Sequence, residues 1–383
     1  MLTNFKFSRE VNFLFLSILL FATAIGIDVV TFPTILSENK INPFVIGVAA
    51  TFEIIGGIFA SFFLSRIVAK IGMMSALRIS AFSYAIAVSL IYFYQNIFLW
   101  IAFIFFMGCC WFIYVISRQA WFNIILKNEQ RAIATGIFSM AISAGIALGP
   151  VIVSFSGAHN YISFLISAAL VLLSYFCISK IKNSAPPKIT SEKIPLKTFF
   201  KNNPRCFMTR FFLDFQTYCV LTFTVIFGVR TGLSYESAGL LVTSYMASGF
   251  FDVWVGFVLK KTSPYKMINI GFLGCIYIFL TITLYHNSYI LLLILYFIFG
   301  LSIACIYVSV FKIANEDYPR EQLVAANSTF QIIGSIGSLF GSLIGGLFLN
   351  LFDANGFLIA MILSSVFYLT FLVTYEKKYS KKN

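Results

Sequence analysis

Residues 128–150 read Asn128-Glu-Gln-Arg-Ala-Ile-Ala-Thr-Gly-Ile-Phe-Ser-Met-Ala-Ile-Ser-Ala-Gly-Ile-Ala-Leu-Gly-Pro150, a charged loop running into an apolar helix rich in glycine and alanine. A second version starts at Arg320 with Glu-Gln-Leu-Val-Ala-Ala-Asn327 and leads into Gly334-Ser-Ile-Gly-Ser-Leu-Phe-Gly341. Glu129-Gln130 aligns with Glu321-Gln322 at an offset of 192 positions, about half of the 383-residue chain. The same shift carries Gly47 onto Gly239, Gly57 onto Gly249, Gly108 onto Gly300, Gly145 onto Gly337 and Gly149 onto Gly341. One shift held without gaps marks an internal repeat. The chain is one unit written twice.

Working outward, 60% of the residues are hydrophobic and 11% are charged, against roughly 25% charged in an ordinary soluble domain. Several apolar runs reach the ~20 residues needed to cross a bilayer. This predicts a polytopic membrane protein. The net charge of +13 does not point to nucleic acid, because Lys and Arg fall in short segments between apolar runs, with no basic stripe or tail. The 46 Phe suit lipid-facing helix surfaces better than an aromatic binding face. Seven cysteines without C-x-x-C spacing, and two histidines (His159, His286) in short loops, imply neither a zinc site nor a disulfide framework. Lys6 and Arg9 precede an apolar run too long for a signal-peptide core, so it is expected to stay as the first helix.

Helix-length apolar runs fall near 11–36, 44–66, 75–94, 97–117, 132–155, 161–179, 206–229, 237–259, 267–285, 289–311, 322–349 and 355–375, six per copy. The stretch from Lys180 to Arg205 holds Pro186, Pro187, Pro195 and Pro204 among many lysines and lacks apolar periodicity. It reads as a linker. The expected organisation is a six-helix bundle over 1–181, a linker over 182–204 and a second six-helix bundle over 205–383. With both termini inside, all Lys and Arg except Lys40 and Arg230 lie in or beside inner segments, as the positive-inside rule requires. Six helices per copy make the repeats parallel, with a substrate path expected between them near the midplane. The fold class is therefore all-α, twelve transmembrane helices as two parallel six-helix repeats.

Two such repeats joined by a basic linker resemble the major facilitator superfamily over the full length. Gly145-x-x-x-Gly149-Pro150 is similar to the first part of the family's G-x-x-x-G-P-x-x-G-G antiporter motif, with Val153 and Ser154 in place of the closing glycines. In the loop after the second helix only Lys70 and Gly72 match the family pattern; Ala69 stands for its aspartate and Met73-Met74 for its basic pair. Ile104 stands where the family's fourth-helix arginine would precede Gly108. Gln322 to Asn327, followed by Gly337-Ser-Leu-Phe-Gly341, is similar to the YcaD-like branch. The resemblance implies a secondary transporter without a cofactor, acting as a monomer by alternating access in a bacterial plasma membrane.

Ionisable side chains inside hydrocarbon are costly and are functional candidates by default. Four acids fall within the expected helices: Asp28, Glu53, Asp214 and Asp252. Glu53 shares a helical face with Ala49, Ala50, Gly56, Gly57 and Ala60, which lets a neighbouring helix approach and points Glu53 at protein. Asp214 has Arg210 one turn away as a neutralising partner, and Asp252 shares its face with Tyr245, Ser248, Gly249 and Gly256. The offset maps Asp28 to Val220, Glu53 to Tyr245, Asp214 to Ala22 and Asp252 to Ala60, so no acid is repeated. Proton or cation coupling, or substrate contact, is assigned to Asp28, Glu53, Asp214, Asp252 and Arg210. The plainer alternative is that each acid pairs with a neighbour and pins two helices. Trp111, Tyr114, Tyr218 and Tyr245 are candidates for lining a cavity, or for packing. Gly145, Gly149, Pro150, Gly337 and Gly341 suit close packing and gating. Arg118 and Lys312 are expected to snorkel to the interface from helix ends.

No nucleotide loop, Ser/His/Asp set or filter-like loop is present in the sequence, which argues against a pump, an enzyme and a channel. The expected function is proton-coupled movement of a small organic solute, as symporter or antiporter, with export favoured over import. The alternative is a non-transporting scaffold or solute sensor on the same fold.

Overall fold

A computed structural model of the chain describes residues 7–94, 96–125, 128–158, 160–181, 195–316 and 323–380. The described residues form helices α1 (Arg9–Glu38), α2 (Pro43–Ile71), α3 (Met73–Ile91), α4 (Ile97–Ile125), α5 (Asn128–Ser156), α6 (Tyr161–Ser179), α7 (Leu196–Asn202), α8 (Pro204–Arg230), α9 (Tyr235–Ala247), α10 (Asp252–Val258), α11 (Pro264–Tyr285), α12 (Tyr289–Glu316) and α13 (Leu323–Ser380). The architecture is all-helical because a segment in hydrocarbon must satisfy its backbone polar groups internally. Eleven stretches are long and apolar enough to cross a membrane, the last being Thr329–Tyr375. That last stretch is itself two spans. Phe352 and Asp353 leave helical φ/ψ, and Gly356 comes back against the carbonyl of Phe348. Splitting it gives twelve membrane-spanning helices among the described residues.

Helix ends follow from local chemistry. Asn203 caps α8 by accepting from the Cys206 amide at 2.8 Å, and Pro204 sits in the first turn where no donor is needed. Ser234 caps α9 through the Ser237 amide at 3.2 Å. Within the spans, hydroxyls bond back to carbonyls of the preceding turn, as Thr31 does to Ile27 at 3.0 Å and Thr34 to Val30 at 2.7 Å, so they enter hydrocarbon already satisfied.

Two compact units result, one of Met1–Leu36 and Ala49–Ile189, the other of Ser37–Val48 and Thr190–Asn383. The connection between α1 and α2 thus groups with the second unit, where Asn42 Nδ2 donates to Asn350 Oδ1 at 2.7 Å.

The repeat reappears as packing. In the first unit a side chain on Gly145 would strike the carbonyl of Leu19, and one on Gly108 the carbonyl of Glu53. In the second unit Gly337 meets the carbonyl of Phe211 and Gly300 that of Tyr245. All four residues of each set are related by the offset of 192. Helix backbones in van der Waals contact need a hydrogen where a side chain would be, so the glycines record matching helix crossings.

Several expectations need correction. The residues from Asn128 to Arg131 form the first turn of α5, with no loop between them and the helix. Of the linker, residues 182–194 lie outside the described residues, as do Glu321 and Gln322 and the histidine at 159. The remainder contains a short helix, α7, with Phe199 fully buried and its ring 6.4 Å from that of Phe330. The eighth span is discontinuous: a 3₁₀ turn, Ser248–Phe251, separates α9 from α10.

Candidate functional site

Asp28 lies in the C-terminal half of α1 at 4% exposure. Two hydroxyls hold it. Tyr84 on α3 donates to Oδ2 at 2.6 Å, and Ser167 on α6 donates to Oδ1 at 2.9 Å. The shorter distance is typical of a hydroxyl donating to a charged oxygen. Among the described residues no Lys or Arg forms an ion pair with Asp28. Glu53 is half-buried on α2 and lies within electrostatic reach of both Asp28 and Tyr84. The structure therefore brings Asp28 and Glu53 into one neighbourhood and adds two partners that the sequence reading missed. A signal for them existed: the offset carries Asp28, Tyr84 and Ser167 onto Val220, Ile276 and Ile359, so a polar trio in one repeat is wholly aliphatic in the other.

Two turns before Asp28 on the same face of α1, Phe21 anchors an aromatic cluster. Its ring centroid lies 4.9 Å from Tyr84, 5.2 Å from Trp111 and 4.5 Å from Tyr114. Tyr114 is fully buried, with its hydroxyl 2.9 Å from both Ser17 Oγ and Ser174 Oγ. Trp111 is half-buried. Of the other two cavity candidates, Tyr245 is packed at 5.2 Å against Phe299 with its hydroxyl 3.4 Å from Thr217, and Tyr218 is half-buried on α8.

Arg118 departs from expectation. It does not snorkel. Because α4 continues to Ile125, Arg118 sits inside the helix and is fully buried, with its guanidinium carbon 3.7 Å from the Phe138 ring centroid. Lys312, by contrast, is partly exposed and donates to the Leu259 carbonyl at 3.2 Å.

In the second unit Arg210 Nε lies 2.8 Å from Asp214 Oδ2, and Arg210 Nη2 donates to Gln331 at 3.0 Å. Gly334 provides the space, since a side chain there would meet both members of the ion pair. Asp252 opens α10 immediately after the 3₁₀ turn, half-buried and within electrostatic reach of Tyr245 and Cys305.

The candidate gating residues sit at helix crossings. Pro150 has no amide to offer the Ile146 carbonyl one turn back, and Gly26 of α1 packs against that carbonyl while Gly149 packs on Gly26. Gly145 meets α1 one turn earlier, beside Ala22 and Thr23. Gly337 and Gly341 approach Phe211 and Phe215 of α8 in the same manner.

A chain of twelve apolar helices in two repeats is the architecture of solved transporters. A mutant form of the nucleoside transporter NupG superposes with a TM-score of 0.80 at 14% identity, covering 97% of this chain and 99% of that one. A POT family transporter in complex with a thioalcohol-conjugated peptide gives 0.76 at 13% identity, covering 96% of each chain. A bacterial homologue of the human lysosomal transporter Spinster, in an inward-facing and unoccupied conformation, gives 0.72 at 13% identity, covering 95% and 94%. No curated protein matches the chain, and the resemblance to the YcaD-like branch gains no support. The family model of the Major Facilitator Superfamily matches residues 14–319 and 232–383. The protein is a multi-pass, non-enzymatic transporter, and it belongs to the Major Facilitator Superfamily.

Proposed function

We propose that the protein is a proton-coupled carrier of a small organic solute, with Asp28 as the proton-bearing group and Glu53 as its electrostatic neighbour. The observation that carries this reading is a buried carboxyl held by hydroxyls from two other helices, with no cation beside it among the described residues. Tyr84 and Ser167 donate to the charged form. A hydroxyl can also accept, so turning one of them lets the protonated carboxyl donate in its place. The same cage can thus hold Asp28 with or without a proton. A structural ion pair would resist that change.

With the Lys- and Arg-rich linker on the cytoplasmic side of a plasma membrane, Asp28 lies in the outer half of the first unit. Movement of solute against a proton gradient follows the alternating-access scheme of the superfamily, with export favoured by the Gly145–Pro150 motif. Nucleosides and peptides, named for two structural neighbours, are the first solutes to try. In proteoliposomes, wild type should accumulate solute in response to an imposed pH gradient. Asp28→Asn should keep solute-for-solute counterflow and lose the gradient response. Gradient-driven accumulation that survives in Asp28→Asn would sink the proposal.

A further inference from the structure

The guanidinium of Arg118 has its Nε, Nη1 and Nη2 all buried and without a hydrogen-bond partner among the described residues. Phe138 covers one face at 3.7 Å, and the Tyr114 ring lies 5.5 Å away. Those contacts are made to rings, which offer a donor no lone pair. The donors of a guanidinium lie in its plane and point outward from its edge, so ring stacking leaves them unused. The Tyr114 hydroxyl is already engaged with Ser17 and Ser174.

The second repeat supplies an internal control. Phe138 corresponds to Phe330 under the offset of 192, and a guanidinium lies over that ring too, Arg210 at 4.9 Å. There the cation has an ion pair with Asp214 at 2.8 Å and donates a hydrogen bond to Gln331, in space left by Gly334. The first repeat has Ala22, Ser139 and Ile142 at the three corresponding positions. Elsewhere, Arg78 reaches the Ile181 carbonyl at 2.8 Å, Arg205 reaches Asn269 at 3.2 Å and Arg230 reaches Asp353 and the Leu349 carbonyl. Among the described residues each of these arginines has an oxygen partner and Arg118 has none.

We propose that Arg118 is the binding group for an oxyanion, a carboxylate or phosphate carried by the transported solute. A planar fork of donors with its face packed on an aromatic ring accepts a two-oxygen acceptor edge-on, in the geometry that makes arginine preferred over lysine for such groups. Phe138 and Tyr114 hold the plane fixed, so little freedom is lost on binding. This assignment rests on the reading of the protein as a solute carrier and narrows its cargo to organic anions.

The test is thermal unfolding of the full chain in phosphatidylcholine nanodiscs, titrated separately with succinate and with inorganic phosphate, and with potassium chloride matched for ionic strength. A specific anion raises the melting point of wild type by mass action, and whichever anion acts separates carboxylate from phosphate recognition. Arg118→Met should melt higher than wild type without anion, because it removes an unpaired buried charge, and should lose the response. Arg118→Lys keeps the charge without the fork and should move the titration midpoint up by about tenfold or more. If Arg118→Met does not accumulate, Arg118→Lys decides alone. The inference is overturned by a lower melting point in Arg118→Met, by equal anion responses in variant and wild type, or by a wild type that answers neither anion beyond the chloride control. No gradient or flux enters this measurement. Anion binding through Arg118 in a protein that fails the Asp28 test would leave this inference standing and remove the coupling proposal alone.

Discussion

In the first unit a guanidinium from α4 lies over Phe138 and a carboxyl on α1 is held by Tyr84 and Ser167, and among the described residues the first has no carboxylate partner and the second no cation. In the second unit the guanidinium over the equivalent ring, Phe330, is joined to Asp214 one turn along the same helix. Both units use the same glycine-to-carbonyl crossings. The scaffold is therefore duplicated while the charges are not. Neutralised charge suits a wall, and unneutralised charge suits a site that meets a proton or a ligand.

The largest expected effects break what the units share. Gly149→Leu in the first unit and Gly337→Leu in the second each drive a side chain into a neighbouring backbone that cannot rotate away. Each should cost at least about 3 kcal/mol, the upper end for overpacking, and should remove the monodisperse peak in size-exclusion chromatography. Gly136, on α5 with open space around it, is the control. Gly136→Ala should gain up to about 1 kcal/mol from helix propensity. Similar tolerance at all three positions would break the claim that glycine fixes the crossings.

The next effect tests the difference in charge. Asp214→Asn strands Arg210 in a buried position with side-chain exposure of only 7%. Removing one partner of a buried pair costs about 3–5 kcal/mol, so the variant should melt far below wild type. Replacing both residues, as Arg210→Met with Asp214→Leu, should restore most of the loss, because an apolar pair of similar volume is often neutral. A double variant no better than Asp214→Asn would show that the pair does more than hold helices.

The repeat, the helices and the acids were legible in the sequence for physical reasons. Apolar length is imposed by the bilayer, glycine spacing by helix contact, and a carboxyl in an apolar run is conspicuous. The partners of Asp28 were not legible, because Tyr84 and Ser167 are ordinary helix residues whose meaning depends on which faces of α3 and α6 turn toward α1. The burial of Arg118 is hidden in the sequence for a different reason. Its apolar run ends beside it, at 117, whereas α4 continues to Ile125. Polar residues can prolong a helix past the hydrocarbon signal, and that shifts a charge from the interface into the protein.

A moderate effect sharpens the contrast around Asp28. Tyr84→Phe deletes the 2.6 Å hydrogen bond and leaves the carboxyl with Ser167. Hydrogen bonds to charged groups contribute about 1.5–3 kcal/mol, so a stability loss near 2 kcal/mol is expected in chemical denaturation. Ile276→Val, at the equivalent position of the second unit, should cost about 1 kcal/mol from lost packing. Equal losses at the two positions would mean that Tyr84 acts only as a packing residue.

The smallest effect concerns the turns at the ends of the fifth and eleventh spans, where the repeats solve one problem differently. The first unit reverses through Gly157 at φ 83°, a conformation that costs glycine little. The second turns through Asp353 at φ 53° and ψ −145°, a region that favours glycine. Its carboxylate receives a 2.6 Å hydrogen bond from Arg230 Nη1, which also donates to the Leu349 carbonyl at 2.9 Å. Asp353→Gly relieves backbone strain of about 1–3 kcal/mol and forfeits an exposed ion pair whose contribution lies between about 0 and 1 kcal/mol. The carbonyl cap from Arg230 survives the change. The two contributions oppose, and the backbone should win narrowly, with Asp353→Gly at least as stable as wild type in a thermal melt. A clear loss would show that the Arg230–Asp353 pair, at 75% exposure of the aspartate side chain, anchors the turn more firmly than solvent screening permits.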